Sequence, residues 1–319
     1  MRVPTGATHR LLRTHNLRLA LDHIRAHGPV SRAEFARASG LSKPTSSSLL
    51  EDLVGYGLVR GEERSQGIGR PAVYFSPAPE AATVLVVEVG PTAGRTVLAG
   101  FDGAVLTEEV RTDRASADPL ADGRRWAAEL LAAAGIAPGR VHRALLGVCG
   151  PATAGALLPG VPTQVLTDSQ LAASAEYEHP HRGGGPVDHL AYVAVDDPLC
   201  VGLVLGGRLH RAARPAPPGT PPRSVEEAAV RLADSLAPIA RSTGIETVTL
   251  GGTERLGGEA VVKLLDEELR QRLPEPPELT AAALGDRAVV TGGIRLALSG
   301  ASEDLLDAIG TGPLHAGRR

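Results

Sequence analysis

Ser31-Arg32-Ala33-Glu34-Phe35-Ala36-Arg37-Ala38-Ser39-Gly40-Leu41-Ser42-Lys43-Pro44-Thr45-Ser46-Ser47 is the stretch whose reading decides the fold. It predicts two short helices joined by a turn at Gly40. Ser31 is placed to cap the first helix, and Glu34 three residues on completes a capping box. Ser42 is placed to cap the second, where Pro44 fits the first turn because its missing N–H leaves no bond unmade. Leu49, Leu50, Leu53 and Val54 follow as the expected buried stripe. Lys43, Thr45, Ser46 and Ser47 are expected on the opposite face near the helix start, the part of a recognition helix that meets bases and phosphates. An ordinary helical hairpin with a serine-rich face is the competing reading.

Working outward, Gly57 to Glu63 and Ala72 to Ser76 are expected strands on either side of Arg64-Ser65-Gln66-Gly67-Ile68-Gly69-Arg70-Pro71. A hairpin with a glycine-rich basic tip after a recognition helix makes a wing. Arg64 and Arg70 can then reach phosphates or a narrow minor groove. Upstream, Leu17, Leu19, Ala20, Leu21 and Ile24 recur at helical spacing between about Thr14 and His27. Residues 1–79 therefore read as a winged helix-turn-helix domain. Its expected DNA contacts are Ser31, Arg32, Ser42, Lys43, Thr45, Ser46, Ser47, Arg64 and Arg70. Charge agrees: residues 1–79 hold 11 Lys and Arg against 6 Asp and Glu, while the whole chain of 319 residues is at −3. A basic end on an acidic remainder suits a double-stranded DNA partner.

Hydrophobic residues make up 43% of the chain and aromatics 3%, so the core has to be built from Ala, Val and Leu. No signal-peptide pattern or membrane-length apolar run occurs, and a soluble cytoplasmic protein is expected. The 2 cysteines, Cys149 and Cys200, lie in apolar strand-like runs and predict buried thiols.

Beyond the proline-rich joint at 76–80, Thr83 to Val89, Arg95 to Phe101 and Val105 to Arg111 are expected strands. A helix follows near Pro119 to Ala134, then a strand from Ala144 to Val148. Leu190 to Val195 and Val201 to Leu205 form another expected strand pair. Helices at Val225 to Arg241 and Glu259 to Leu273 flank a strand at Glu246 to Leu250. The order β-β-β-α-β, met twice, is the plan of an α/β, actin-like ATPase (ribonuclease H-like) fold for residues 80–319.

Ser31-Arg32-Ala33-Glu34-Phe35-Ala36, Gly40-Leu41-Ser42-Lys43-Pro44-Thr45 and the wing Gly69-Arg70-Pro71, together with the later strands, resemble the ROK family. That family joins sugar kinases with repressors that carry a winged helix before a kinase-like domain. The resemblance implies a phosphate loop at Glu88-Val89-Gly90-Pro91-Thr92, where family kinases carry an aspartate and no proline. It also implies a catalytic base at Asp168 in Thr167-Asp168-Ser169-Gln170, where the family has Asn-Asp; an N-cap is the plainer reading of that aspartate. The segment from Gly150 to Asp168 is too short for the family's sugar-binding element. Residues 211–222 lack the family's Glu-x-Gly-His segment and cysteine cluster, so no zinc is expected there. Gly251-Gly252 and Gly292-Gly293 fall where the family's adenosine loops lie.

These departures predict a DNA-binding transcriptional regulator of ROK type, a repressor in form, with a sugar-kinase-type domain that has lost its kinase and zinc sites. No cofactor and no enzymatic activity are expected. The expected partners are a double-stranded DNA operator, a second copy in a homodimer or higher homo-oligomer, and a small-molecule effector with Asp168 as its candidate contact. Two alternatives stay open: a sugar-responsive repressor with an altered pocket, and an active sugar kinase fused to a DNA-binding domain.

Overall fold

The computed structural model describes residues 5–64, 72–90, 93–112, 118–149, 154–179, 187–194, 200–210, 224–253 and 258–311. The N-terminal part runs α1 (Thr5–His27), β1 (Val30–Ser31), α2 (Arg32–Ser39), α3 (Lys43–Gly55), β2 (Val59–Arg64) and β3 (Ala72–Pro77). Its three strands form an antiparallel sheet in the order β1-β3-β2. The capping box is present: Glu34 N–H donates to Ser31 Oγ at 3.3 Å, and Ser31 N–H donates to Glu34 Oε2 at 2.7 Å. Gly40 stops α2 in the left-handed region at φ 67°, where a Cβ would be strained. Leu17, Leu21 and Ile24 pack with Phe35, Leu49, Leu50, Leu53 and Phe75 in one core.

Three expectations need correcting. The first helix begins at Thr5, well before Thr14. Leu19 is 48% exposed and Val54 is 41% exposed, so neither belongs to the core. At 100° per residue Leu19 turns away from the Leu17–Leu21–Ile24 stripe. On α3 the stripe is Ser46–Leu49–Leu50–Leu53, and Val54 falls at its edge.

A short turn at Pro79–Ala81 leads into the larger part. β4 (Thr83–Val89), β5 (Gly94–Gly100), β6 (Val105–Arg111), α4 (Pro119–Ala133), β7 (Arg143–Val148), β8 (Thr163–Thr167) and α5 (Asp168–Glu178) form its first half. The second half holds β9 (His189–Ala194), β10 (Cys200–Leu205), β11 (Arg208–His210), α6 (Val225–Thr243), β12 (Thr247–Gly251), α7 (Glu259–Arg272), β13 (Glu278–Ala281) and α8 (Ala288–Thr311). The sheet orders are β6-β5-β4-β7-β8 and β11-β10-β9-β12-β13, the same plan twice. In each, the first three strands are antiparallel and the last two parallel their neighbours.

The halves differ between their last two strands. In the second, α7 joins β12 to β13 and buries Val261, Leu265 and Leu269. In the first, described residues 154–162 contain no helix; Leu157, Leu158 and Val161 seal the core around the fully buried Trp126 instead. α5 and α8 pack against each other so closely that a Cβ on Gly292 would land on the Leu171 carbonyl. Gly292 and Gly293 are thus mid-helix packing positions and form no loop.

Candidate functional site

The start of α3 carries the first candidate surface. Ser42 Oγ accepts from Thr45 N–H at 3.3 Å and shares a hydrogen bond with Thr45 Oγ1 at 2.8 Å. Ser42, Lys43 and Thr45 are exposed, and Ser47 is half-buried on the same turn. Ser46 departs from expectation: it is 1% exposed and its hydroxyl has no hydrogen-bond partner among the described residues. It stands at the centre of the Leu49–Leu50–Leu53 stripe, so it faces the core and cannot touch a base. The spacing i, i+3, i+4, i+7 is the signal that places it there.

Around this helix several expected contacts are engaged by the protein itself. Ser31 is occupied in the capping box. Arg32 lies 3.5 Å from Glu51 and sits over the Phe75 ring at 5.0 Å, bracing α2 against α3 and the sheet. Arg64 is 3.5 Å from Glu62 and sits over Tyr74 at 5.7 Å. Glu62 also lies 3.7 Å from Arg60, so the base of the wing is charge-balanced. Arg70 and the wing tip, residues 65–71, lie outside the described residues.

The second candidate is a cleft of about 720 Å³ between the two halves of the larger part. Glu88, at the end of β4, pairs across the sheet with Arg95 on one side and Gly147 on the other. Because Gly147 has no side chain, Asp168 Oδ1 comes within 3.0 Å of where a Cβ would stand. Gly94 likewise lacks the Cβ that would collide with Trp126. Tyr192, Gly251, Gly252, Asp286 and Val289 also line the cleft, and Val289 Cγ1 stands 3.3 Å from the same Gly147 position. Thr167 makes the N-cap of α5, with Gln170 completing its capping box, so Asp168 is left to line the cleft. Arg95 donates to Glu108 at 2.6 Å and to Asp286 at 2.9 Å. Burial pushes the Glu88 carboxyl up to about 7, against a smaller opposing pull from Arg95.

Glu176 has a role that no local motif announces. Its buried carboxylate accepts from the N–H groups of Ala283 (3.1 Å) and Leu284 (2.9 Å), which fixes the turn beneath the cleft wall. Among the described residues no group of three or more His, Cys, Asp or Glu is arranged to hold a metal. Residues 211–222, Pro91 and Thr92 lie outside the described residues. No described helix is long and apolar enough to cross a membrane.

No family model matches the chain. A curated relative, "Putative xylose repressor" from Caldicellulosiruptor sp. (strain Rt8B.4), is 26% identical over 236 residues, covering 65% of this chain. The chain's match spans 57% of that relative's length. Among solved structures, a ROK family transcriptional regulator described as a homologue of the E. coli MLC protein superposes with a TM-score of 0.70 at 16% identity. That match covers 94% of this chain and 98% of the other. A ROK hexokinase from Thermus thermophilus gives a TM-score of 0.50 at 20% identity, covering 68% of this chain and 97% of its own. The kinase accounts for about two-thirds of the chain and the regulator for nearly all of it. The chain therefore carries the fold of a ROK family transcriptional regulator, winged helix and kinase-like halves together.

Proposed function

We propose that this protein is a DNA-binding transcriptional regulator, a repressor of ROK type, in which residues 1–79 read an operator and residues 80–319 assemble the dimer and bind an effector. The observation that carries this reading is the exposed, capped start of α3, with Ser42, Lys43 and Thr45 presented together in front of a winged sheet. A helix N-terminus set this way places a cation and hydroxyl donors where a major groove offers phosphates and base edges. The likeness to a curated repressor supports it. A homodimer suits the reading, since two copies match the two halves of a pseudo-palindromic site.

The test is selection of bound duplexes from a random pool with the full chain, followed by binding titrations over a range of salt. Lys43→Ala is expected to weaken all duplexes and to lower the salt slope by about one phosphate's worth. Failure to enrich any sequence would overturn the proposal.

The rival reading, a live sugar kinase, has Asp168 in its favour, because that carboxylate lines the cleft and is not the helix cap. Against it stand Glu88 in the phosphate loop and the absence of a helix in described residues 154–162. Phosphoryl transfer depends on positioning and on charge stabilisation around the phosphates, which an isolated base does not provide. Nucleotide hydrolysis with a panel of hexoses is expected to be equal in the wild type and Asp168→Asn. Turnover lost in that variant would favour the kinase.

A further inference from the structure

The two halves of the larger part leave different surfaces where their crossovers differ. In the second half α7 packs on α6 and buries Val261, Leu265 and Leu269. In the first half, described residues 154–162 contain no helix, and an apolar groove of about 620 Å³ is left beside α4. Arg124, Ala128, Leu131 and Ala132 of α4 line one side, and Ile136 and Pro138 continue it past the helix end. Ala156, Leu157, Leu158 and Pro159 of the crossover line the other. Leu131, Leu157 and Leu158 are buried and form the floor, while Ala128, Ala132 and Pro159 are exposed along the rims.

The groove is held in shape by polar contacts outside it. Leu157 N–H donates to Thr163 Oγ1 at 3.0 Å, and that hydroxyl donates to the Val161 carbonyl at 3.2 Å. Arg124 Nε donates to the Ala156 carbonyl at 2.9 Å, so its guanidinium is fixed between α4 and the crossover. The next residue, Arg125, is paired with Asp122 at 2.7 Å. Arg124 has no such acid among the described residues, and it is the one charged group among those that line the groove. Its Nη groups therefore stand ready for an anion at one end of apolar walls. A peptide strand laid here would leave main-chain groups unpaired, whereas a hydrocarbon chain has none to lose. From Arg124 to Ala132 the helix rises about 1.5 Å per residue, which gives a stripe about 12 Å long.

We propose that this groove binds an unbranched alkyl carboxylate, of about 8–12 carbons given C–C bonds of about 1.5 Å. The carboxylate sits on the Arg124 Nη groups, and the chain runs along α4 over Leu131, Leu157 and Leu158. Charge complementarity selects the head, and burial of methylene groups supplies the affinity. The groove shares no lining residue with the cleft, and the assignment does not depend on the operator reading.

The test is calorimetry on the full chain without DNA, using hexanoate, octanoate, decanoate and dodecanoate below their micelle concentrations. Octanol and octylamine serve as head-group controls. Saturable one-to-one binding is expected, tightening about 3-fold per added methylene until the groove is filled. Octanol and octylamine are expected to bind at least about 5-fold more weakly than octanoate. Arg124→Gln should lose that preference and keep the dependence on chain length. Ala128→Phe, at an exposed position, should abolish binding of every chain while melting temperature and oligomeric state stay as in the wild type. Absence of saturable binding, octanol or octylamine binding as tightly as octanoate, or affinity untouched by both variants would overturn the proposal. A change of oligomeric state in Ala128→Phe, read by sedimentation, would overturn it in favour of a second copy covering the groove.

Discussion

Glu88 ties a single side chain to a pH dependence of the whole fold. Its carboxyl titrates near 7 in the folded protein, raised by burial above the ordinary value of 4.5. The folded state therefore holds a proton that the unfolded state has lost between those two values. Its contribution is full below about pH 4.5 and is lost as pH rises through 7. Glu88→Gln is expected to flatten the fall in melting temperature between about pH 5 and 8, and to be the more stable protein at pH 8 by roughly 1–3 kcal/mol. A wild-type melting temperature that is flat over that range would exclude this. Ser46 gives the second prediction at this scale. Its buried hydroxyl has no partner among the described residues, so Ser46→Ala should stabilise the protein by up to about 1 kcal/mol and leave duplex selectivity unchanged. Denaturant unfolding and the selected-site titrations check both parts. A change of base preference would put Ser46 back on the DNA side.

At the scale of elements, the helix-turn-helix depends on local backbone chemistry and the α5–α8 pair on close packing. Gly40 has φ 67° and open space around it, so Gly40→Ala costs only the left-handed strain, about 1 kcal/mol by denaturant unfolding. Gly292 is the opposite case: its helical backbone is unstrained, but a methyl group there meets the main chain of α5. Gly292→Ala should cost about 3 kcal/mol or more, because two packed helices would have to separate. A larger loss at Gly40 than at Gly292 would contradict this ranking.

Across the whole molecule, α8 connects the cleft wall with the winged helix. Its first turn supplies Val289 to the cleft, and its later turns meet α1. Arg25 donates to Ser302 Oγ at 3.2 Å and sits 5.8 Å from the Phe101 ring centre. Arg18 pairs with Glu303. That ion pair is half exposed and contributes at most about 1 kcal/mol. The apolar contact beneath it matters more, since Leu21, Ile24, Phe101, Leu298 and Ala301 belong to one continuous core. Leu298→Ala is expected to cost about 2–4 kcal/mol and to lower a single thermal transition of the full chain. Two resolved transitions, with only one shifted, would show that the winged helix unfolds independently.

The capping box, the turn glycine and the alternation of strands and helices are set by residues close together in the chain. For that reason Ser31, Glu34, Gly40 and Ser42 are legible from the residue order alone, and β4 falls where its apolar run lies. The exposed side of α3 is legible only in part, because a small serine fits a buried stripe as readily as a solvated face. What Arg32 and Arg64 touch depends on Glu51, Phe75, Glu62 and Tyr74, partners brought in by the turns of the winged sheet. The cleft depends still more on tertiary structure. Glu88, Asp168 and Asp286 are far apart in sequence, and only the pairing of β4 with β7 and the packing of α5 and α8 gathers them. Local hydrogen bonds and periodicity set the elements; burial and cross-strand neighbours decide which charged groups share a site.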